Sequence, residues 1–166
     1  MPKKSRLLTL EDVLHIEMLT AEKADRQTVY KAVEKVAAET CGWVMLTTLK
    51  YDEAAGVVVR LHSSNEKDYP LGGTKPISKI TVSRQKMDKG EVFLAPDRAA
   101  VKEAFFDHDL IFSLGISAIL NAPIRHAGRR LGSLNFCGEE GWYGETEARN
   151  AQILGGLLIP SLLQEF

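Results

Sequence analysis

The small, uncharged polar side chains within residues 116–137 all fall on one set of alternate positions, on both sides of a two-residue turn. Asn121 precedes the turn, and Ser133 and Asn135 follow it. Because side chains alternate between the faces of a strand, one face of this predicted central hairpin is polar and the other is apolar. Uncharged amides and hydroxyls orient small polar molecules in pockets, so the sequence predicts a ligand chamber on this face. The simpler alternative is a face open to solvent.

The turn falls at Ala127 and Gly128. In the expected register, Asn121 lies near Ser133 across the hairpin. Ile119 lies near Asn135 in the same way. This register gathers the polar groups at the centre of an antiparallel sheet.

Asp107, His108 and Asp109 place two carboxylates and an imidazole at consecutive positions. Such groups serve general acid–base catalysis when they border a pocket. A helix break exposed to water attracts the same residue types, so the patch alone does not predict an enzyme.

The two cysteines, Cys41 and Cys137, have neither C-x-x-C nor cysteine–histidine spacing. We expect both to be reduced, buried apolar residues, with no structural zinc site. His62, His108 and His126 lack a paired spacing, so neither a haem nor a metal site is predicted.

The chain of 166 residues is 45% apolar and 26% charged, which suits one domain with a sizeable core. We predict a single domain over residues 1–166, with residues 1–8 as a frayed end. The net charge is −1, and the basic cluster Lys3, Lys4 and Arg6 lies in that end, so no nucleic-acid partner is expected. No apolar run is long enough to span a bilayer, and the first twenty residues lack a secretory signal. We therefore expect no membrane partner and a cytoplasmic location.

The first part of the chain is typical of two helices followed by a hairpin. Thr9 is a capping residue for a first helix, and Asp25 is one for a second. Aromatic, β-branched and apolar residues at 43–50 and 57–62 predict the two strands of the hairpin.

Residues 63–76 are rich in serine, asparagine, glycine and proline, and their number is typical of a loop that covers a binding site. After this loop the sequence predicts a short helix at residues 78–89, a short strand at residues 91–95 and a second short helix that begins at Asp97. A long last helix is predicted from Glu145. Pro160 predicts a bend of the last helix near residues 155–156.

The order helix, helix, hairpin, helical crossover, hairpin, helix accompanies the pattern S-x-x-x-x-x-P-I-x-x-x-G-x-x-x-G-S-L, which runs from Ser117 to Leu134. Together they resemble a GAF domain over nearly the whole chain. The resemblance implies an α+β, profilin-like or PAS-like fold with a six-stranded antiparallel sheet. The terminal helices are then expected on one face, and a helical crossover over a pocket on the other.

Among GAF proteins, the free methionine-(R)-sulfoxide reductases are similar in being single domains with a tryptophan that opens the first strand. The resemblance implies that their ligand-facing positions fall on Trp43, Thr47, Ile119, Asn135 and Cys137. Those enzymes use cysteines in the crossover, whereas residues 64–115 contain none. Their chemistry therefore does not carry over.

The cofactor-binding members of the family are matched no better. The asparagine, lysine, phenylalanine, aspartate, glutamate signature of the cyclic-nucleotide-binding members is missing. Neither Cys41 nor Cys137 has the adjacent histidine found where bilin-binding members attach their pigment. We therefore predict no cofactor, neither haem nor bilin.

We predict a non-catalytic sensory or regulatory module that binds a small molecule. The expected ligand-binding residues are Trp43, Thr47, Tyr69, Asp109, Phe112, Ile119, Asn121, Asn135 and Cys137. The sheet residues form the floor of the chamber in this interpretation, and Tyr69, Asp109 and Phe112 form its cover. The alternatives are an enzyme acting on a small metabolite and a structural or dimerisation module without a ligand.

The first and last helices carry more apolar residues than one face of a small sheet obviously needs. These residues are Leu10, Val13, Leu14, Leu154, Leu158 and Leu162. Because an exposed apolar stripe is normally covered, they predict a homodimer through the two helices.

Overall fold

A computed structural model of the chain describes residues 4, 6–80 and 82–164. Its helices and strands, in chain order, are α1 (Leu10–Ala21), α2 (Arg26–Thr40), β1 (Met45–Asp52), β2 (Val57–Ser63), β3 (Thr74–Pro76), α3 (Val82–Asp88), β4 (Phe93–Ala95), α4 (Arg98–Ala104), α5 (His108–Ser113), β5 (Ala118–His126), β6 (Arg129–Gly138), α6 (Glu145–Gly156) and α7 (Ile159–Leu163). A turn of 3₁₀ helix at Ile77–Lys79 separates β3 from α3.

Residues 1–3 and 5, which belong to the end predicted to fray, lie outside the described residues. Arg6 in the same end donates hydrogen bonds to Asp12 and Glu39, each at 2.7 Å. The hydrogen bond from Arg6 holds the pKa of the Asp12 carboxyl well below its ordinary value. Arg6 thus ties the start of the chain to both α1 and α2.

The six strands form one sheet in the order β3-β2-β1-β6-β5-β4, and every neighbouring pair is antiparallel. The predicted hairpins are its centre, with β1 beside β6. Strand β3 was not predicted, because its three residues Thr74–Pro76 lie inside the segment assigned to a loop. It pairs with Val57–Val59 of β2 at the sheet edge, where a proline is tolerated.

The helices at the two ends of the chain cover one face of the sheet. Thr9 and Asp12 form the predicted capping box of α1, and the Asp25 side chain accepts from the backbone N–H of Thr28 at the start of α2. The buried sides of α1, α2, α6 and α7 pack on Leu120, Leu134, Phe136 and other residues of the helix-facing side. This side holds the larger of the hydrophobic cores.

The last helix is interrupted at the predicted bend: α6 ends at Gly156 and α7 begins at Ile159. Pro160 lies in the first turn of α7, where its missing N–H costs nothing. The leucines predicted to face a second copy are instead fully buried in the core: Leu154, Leu158 and Leu162. That part of the predicted dimer surface is therefore wrong.

The crossover from β3 to β5 covers the other face of the sheet. Its buried residues Met87, Val101 and Ile111 pack with Met45 and Ile119 of the sheet in a second hydrophobic core. The predicted architecture, with terminal helices on one face and a helical crossover on the other, is confirmed.

One extra residue in β6 sets the pairing of the central hairpin. Ile124 pairs with Gly132 and Arg125 pairs with Arg130, so Leu131 has no opposite residue. Without this bulge a polar residue of β5 would oppose an apolar one of β6, because a shift of one residue reverses the faces. With it, Asn121 lies directly opposite Asn135. The predicted register, with Asn121 near Ser133, is wrong by two residues and keeps the predicted faces.

A second bulge lies between β1 and β2. Thr48 pairs with His62 and Leu49 pairs with Arg60, so Leu61 is the extra residue. Both His62 and Leu61 contact the helix side, where His62 Nε2 lies 2.5 Å from Glu34 Oε2. Arg60 consequently turns to the crossover side of the sheet.

In the described residues, no helix combines the length and the apolar character needed to cross a membrane.

The close approach of β1 to β6 at Gly132 provides a test of this packing. A Cβ at Gly132 would lie 2.0 Å from the Leu49 carbonyl oxygen and 2.7 Å from Leu162 Cδ2. We expect Gly132→Ala to lower the free energy of unfolding by about 2–3 kcal/mol, because neither neighbour can move without disturbing the sheet. Urea unfolding followed by circular dichroism measures the change.

The matched control is Gly156→Ala at the exposed end of α6, where a Cβ meets nothing within 4 Å. We expect this change to raise the free energy of unfolding by roughly 0.5–1 kcal/mol through the loss of backbone freedom in the unfolded chain. Equal effects of the two substitutions would contradict the close packing at Gly132.

Candidate functional site

A cavity of about 60 Å³ lies between the sheet and the crossover. We call it the chamber. Its lining from the sheet consists of Met45, Thr47, Leu49, Tyr51, Arg60, Lys75, Ile119, Asn121, Ser133, Asn135 and Cys137. Its lining from the cover consists of Tyr69, Ile80, Met87, Phe105, Asp107 and Ile111.

A row of polar side chains crosses the floor of the chamber on three adjacent strands. Asn121 pairs with Asn135, which in turn pairs with Thr47. Asn135 Nδ2 donates to Thr47 Oγ1 at 3.3 Å. Both asparagines are at least nine-tenths buried, with exposures of 5% for Asn121 and 7% for Asn135. The carbonyl oxygens of both side chains nevertheless have no hydrogen-bond donor.

Charged groups occupy the wall of the chamber next to β2 and β3. The Arg60 guanidinium lies 5.0 Å from the centroid of the Tyr69 ring, and its Nη1 donates to the Pro70 carbonyl at 3.1 Å. Its Nε is buried without an acceptor. Burial lowers the pKa of Arg60, because a charge removed from water loses solvation.

Asp107 of the crossover lies next to the loop after β2 and to strand β3. The Tyr69 hydroxyl donates to Asp107 Oδ2 at 3.0 Å, and Lys75 Nζ lies 3.7 Å from Asp107 Oδ1. The second distance is too long for a hydrogen bond, so Asp107 Oδ1 is buried without a donor. Burial raises the pKa of Tyr69, and the neighbouring Asp107 carboxylate raises it further.

Four buried side-chain polar atoms in the described part of the chain lack a hydrogen-bond partner. They are Arg60 Nε, Asp107 Oδ1, Asn121 Oδ1 and Asn135 Oδ1. All four belong to residues that line the chamber. Buried polar groups are almost always paired, and each unpaired one costs about 1–3 kcal/mol, so this concentration marks the chamber as the place where partners are missing.

Cys137 lies on the floor of the chamber and is unsuited to nucleophilic attack. Its side chain is buried, and burial raises its pKa to about 12. The nearby Lys75 lowers this pKa and Asp107 raises it, and both effects are smaller than that of burial. The thiol is therefore protonated at neutral pH.

Six of the residues predicted from the sequence line the chamber. They are Thr47, Tyr69, Ile119, Asn121, Asn135 and Cys137. Alternation placed the strand residues among them, and loop composition placed Tyr69.

Trp43 does not line the chamber, so the position predicted for it is wrong. It packs in the core on the helix side, and its Nε1 donates to the Glu34 carbonyl at 3.1 Å. The strand alternation does not extend back to Trp43, because β1 begins at Met45 and Val44, like Met45, packs toward the crossover side. Gly42, with φ of +79°, turns the chain just before Trp43.

Asp109 and Phe112 also lie away from the chamber lining. The Asp109 side chain is 98% exposed. The Phe112 ring packs 3.9 Å from the Arg98 guanidinium and is half-buried. The short helix α5 directs Ile111 inward instead, so the predicted direction of this part of the cover is wrong.

Among the chamber residues that were not predicted to bind a ligand, four carry large polar or charged side chains: Tyr51, Arg60, Lys75 and Asp107. Tyr51 continues the alternation from Thr47, so the alternation of side chains along β1 could have predicted it. Arg60 was hidden by the bulge in β2, and Lys75 by the unpredicted strand β3. Asp107 was noted as part of an acid–base patch, but of that patch only Asp107 reaches the chamber.

The histidines give no metal site. His62 lies on the helix side against Glu34, and His108 Nδ1 lies 2.9 Å from the Phe105 carbonyl. His126 is exposed at the end of β5. No group of three or more histidine, cysteine, aspartate or glutamate residues in the described ranges is placed to hold a metal ion.

Solved structures with the same arrangement are GAF domains and related proteins. The GAF domain of a phosphoenolpyruvate-protein phosphotransferase from Coxiella burnetii superposes with a TM-score of 0.73 and 17% identity, over 90% of this chain and 89% of that one. A phycocyanobilin-bound GAF domain from a cyanobacterial phytochrome gives 0.73 and 17%, over 94% of each chain.

The free methionine-R-sulfoxide reductase of Neisseria meningitidis, solved in complex with its substrate, gives a TM-score of 0.68 and 17% identity, over 95% of this chain and 94% of that one. No protein-family model and no curated protein matches the sequence. The chain therefore has the fold of GAF domains, which confirms the resemblance found in its sequence pattern.

The unpaired amide of Asn121 makes a prediction that needs no ligand. Asn121→Leu replaces an unsatisfied buried carbonyl and amide by a side chain of similar shape. We expect the free energy of unfolding of the ligand-free protein to rise by about 1 kcal/mol, because the desolvation cost of the carbonyl disappears. Urea unfolding measures it.

Asn150→Leu is the matched control. Asn150 is buried on the helix side, and its Nδ2 donates to the Thr40 carbonyl at 3.4 Å. Removing this partner should lower the free energy of unfolding by about 1–3 kcal/mol. Destabilisation of similar size in both variants would show that Asn121 is satisfied.

Proposed function

We propose that this GAF-fold chain is a non-catalytic sensory or regulatory module that binds a small polar organic molecule in the chamber. The observation that carries the proposal is the set of four unpaired buried polar atoms around one cavity. A bound molecule would supply their partners, and the free energy lost on burial would be recovered on binding.

The size of the chamber favours a small ligand. Pockets for drug-sized molecules have volumes of about 300–1,000 Å³, whereas the chamber holds about 60 Å³. Phycocyanobilin and a substrate occupy two structures of the same fold, which supports the use of this fold for ligands in general. A pigment of bilin size does not fit the chamber volume, which agrees with a proposal without cofactor.

The chamber chemistry favours binding over catalysis. Cys137 is protonated at neutral pH, and the reacting cysteines of the reductase-like alternative have no counterparts at residues 64–115. Two free cysteines also suit a reducing compartment, which supports a cytoplasmic setting.

The small volume of the chamber also favours one other candidate. A structural module with a filled chamber would act only through contacts with a partner. The unpaired atoms Asn121 Oδ1 and Asn135 Oδ1 weigh against it, because a chamber without a ligand gains nothing from uncompensated amides.

The proposal predicts selective loss of ligand binding in chamber variants. A metabolite library screened by thermal shift, together with unbiased mass spectrometry of extracts from the purified protein, should yield a small polar ligand. Asn135→Leu should then weaken its binding by about 1–3 kcal/mol in calorimetry, because a ligand donor is left unpaired.

Gln152→Leu is the control, since it makes the same kind of change at an exposed position of α6 on the opposite side of the sheet. Absence of any ligand, or equal affinity in Asn135→Leu and the parent protein, would contradict the proposal.

We also propose that the chain forms a homodimer through its first and last helices. With the leucines of α6 and α7 buried, the support comes from the outer side of α1, where Leu10 is 86% exposed, Leu14 49% and Met18 47%. These residues are four positions apart and form one stripe. On the last helix, Ile153 of α6 is a large apolar side chain that is 46% exposed.

Light scattering at tens of micromolar should give the mass of a dimer. Leu14→Glu should shift the protein to monomer, because a carboxylate would be buried at the interface. Leu110→Glu, at an exposed position of α5 on the crossover side of the sheet, should leave the dimer intact. A monomeric parent protein contradicts the proposal.

A further inference from the structure

The two ends of the chamber differ in what they lack. Arg60 at one end lacks an acceptor, and Asn121 and Asn135 at the other lack donors, while Asp107 Oδ1 on the cover also lacks a donor. We infer that the chamber binds a short-chain hydroxycarboxylate, with its carboxylate at Arg60 and its hydroxyl groups at the two asparagines. This inference rests on the proposed ligand-binding function and assigns the class of ligand.

The anionic end follows from the charges around Arg60. Two cations, Arg60 and Lys75, line the chamber with one carboxylate, Asp107. Lys75 pairs with Asp107, while no carboxylate of the described residues lies within 4.0 Å of the Arg60 guanidinium. A half-buried cation without a counterion is costly, and a ligand carboxylate accepting from Nε removes that cost.

The hydroxyl end follows from the floor of the chamber. Asn135 already donates its amide hydrogen to Thr47, and its carbonyl oxygen accepts nothing. Asn121 presents a second free carbonyl directly opposite. Two adjacent acceptors need ligand donors, so a carboxylate on a purely aliphatic chain would leave both of them unpaired.

The length and volume of the chamber fix the scale of the molecule. Arg60 lies on β2 and Asn135 on β6, with β1 between them, so their backbones are about 10 Å apart, and the long arginine side chain shortens the gap. A water-sized group needs roughly 10–15 Å³, so the volume of about 60 Å³ holds about four to six non-hydrogen atoms. Hydroxycarboxylates of two or three carbons have about five to seven non-hydrogen atoms, which is close to this number.

The charge balance separates hydroxycarboxylates from amino acids of the same size. Arg60, Lys75 and Asp107 together carry one positive charge, which a singly charged carboxylate neutralises. An amino acid is a zwitterion and leaves the positive charge in place. Its ammonium group would also lie in a chamber that already holds two cations.

The test compares four probes built on three carbons: glycerate, serine, propionate and glycerol. Dissociation constants come from calorimetry, and the side-chain amide resonances of Asn121 and Asn135 report where each probe binds. Glycerate should bind at least about tenfold more tightly than each of the other three and should shift both amide resonances. Arg60→Met should weaken glycerate binding by at least about tenfold, while Arg149→Met, at an exposed residue of α6, should not change it.

Each other outcome overturns the inference in a distinct way. If propionate binds as tightly as glycerate, the proposed hydroxyl contacts are wrong. If glycerol binds as tightly as glycerate, the proposed carboxylate contact is wrong. If serine binds more tightly than glycerate, the argument from charge balance is wrong. No binding of glycerate at millimolar concentrations also overturns it. If the metabolite screen still yields a ligand of another class that depends on Asn135, this inference fails while the proposed function stands. If the screen yields none, both fail.

Discussion

The polar character of the chamber depends on the register in which its strands pair, because a shift of one residue changes which side chains face the chamber. A strand offers alternate residues to each face, so a single extra residue exchanges the faces of everything beyond it. Leu131 in β6 and Leu61 in β2 are two such residues. The first brings Asn121 opposite Asn135, and the second turns Arg60 toward the crossover. Both extra residues are leucines that pack against the core on the helix side, so the hydrophobic effect that anchors them also fixes the chamber chemistry.

This arrangement divides the work between the two sides of the sheet. The helix side is a continuous apolar core with fully buried residues such as Ile16, Tyr30 and Leu154. The crossover side has a smaller core and carries the four unpaired polar atoms. Uncompensated polar groups lower stability, and a fold tolerates them only where burial elsewhere is sufficient. The unpaired buried polar atoms of the described residues are therefore confined to one face of the sheet, which is the pattern expected of a binding site.

The faces of the central strands could be predicted from the sequence because alternation is a local property of a strand. Thr47, Asn121, Asn135 and Cys137 share the chamber for that reason. The bulges could not be predicted, since each reflects pairing between residues distant in the sequence, and Arg60 was missed with them. The predicted position of Trp43 was wrong because the alternation was extended to residues before the start of β1. The prediction that Asp109 and Phe112 line the chamber was wrong, because the length of a segment indicates how far it can reach but not where its side chains point.

The hydrogen bond from Tyr69 to Asp107 joins the loop after β2 to the crossover, and both segments line the chamber. Under the proposed function, a molecule larger than the present cavity would require these two segments to move apart and this hydrogen bond to break. Its association is then a two-step process in which opening precedes capture. The observed association rate would stop rising with ligand concentration once it reaches the opening rate. Under the proposed function, the contact between one tyrosine and one aspartate would thus set how fast the chain responds to such a molecule, whatever its affinity.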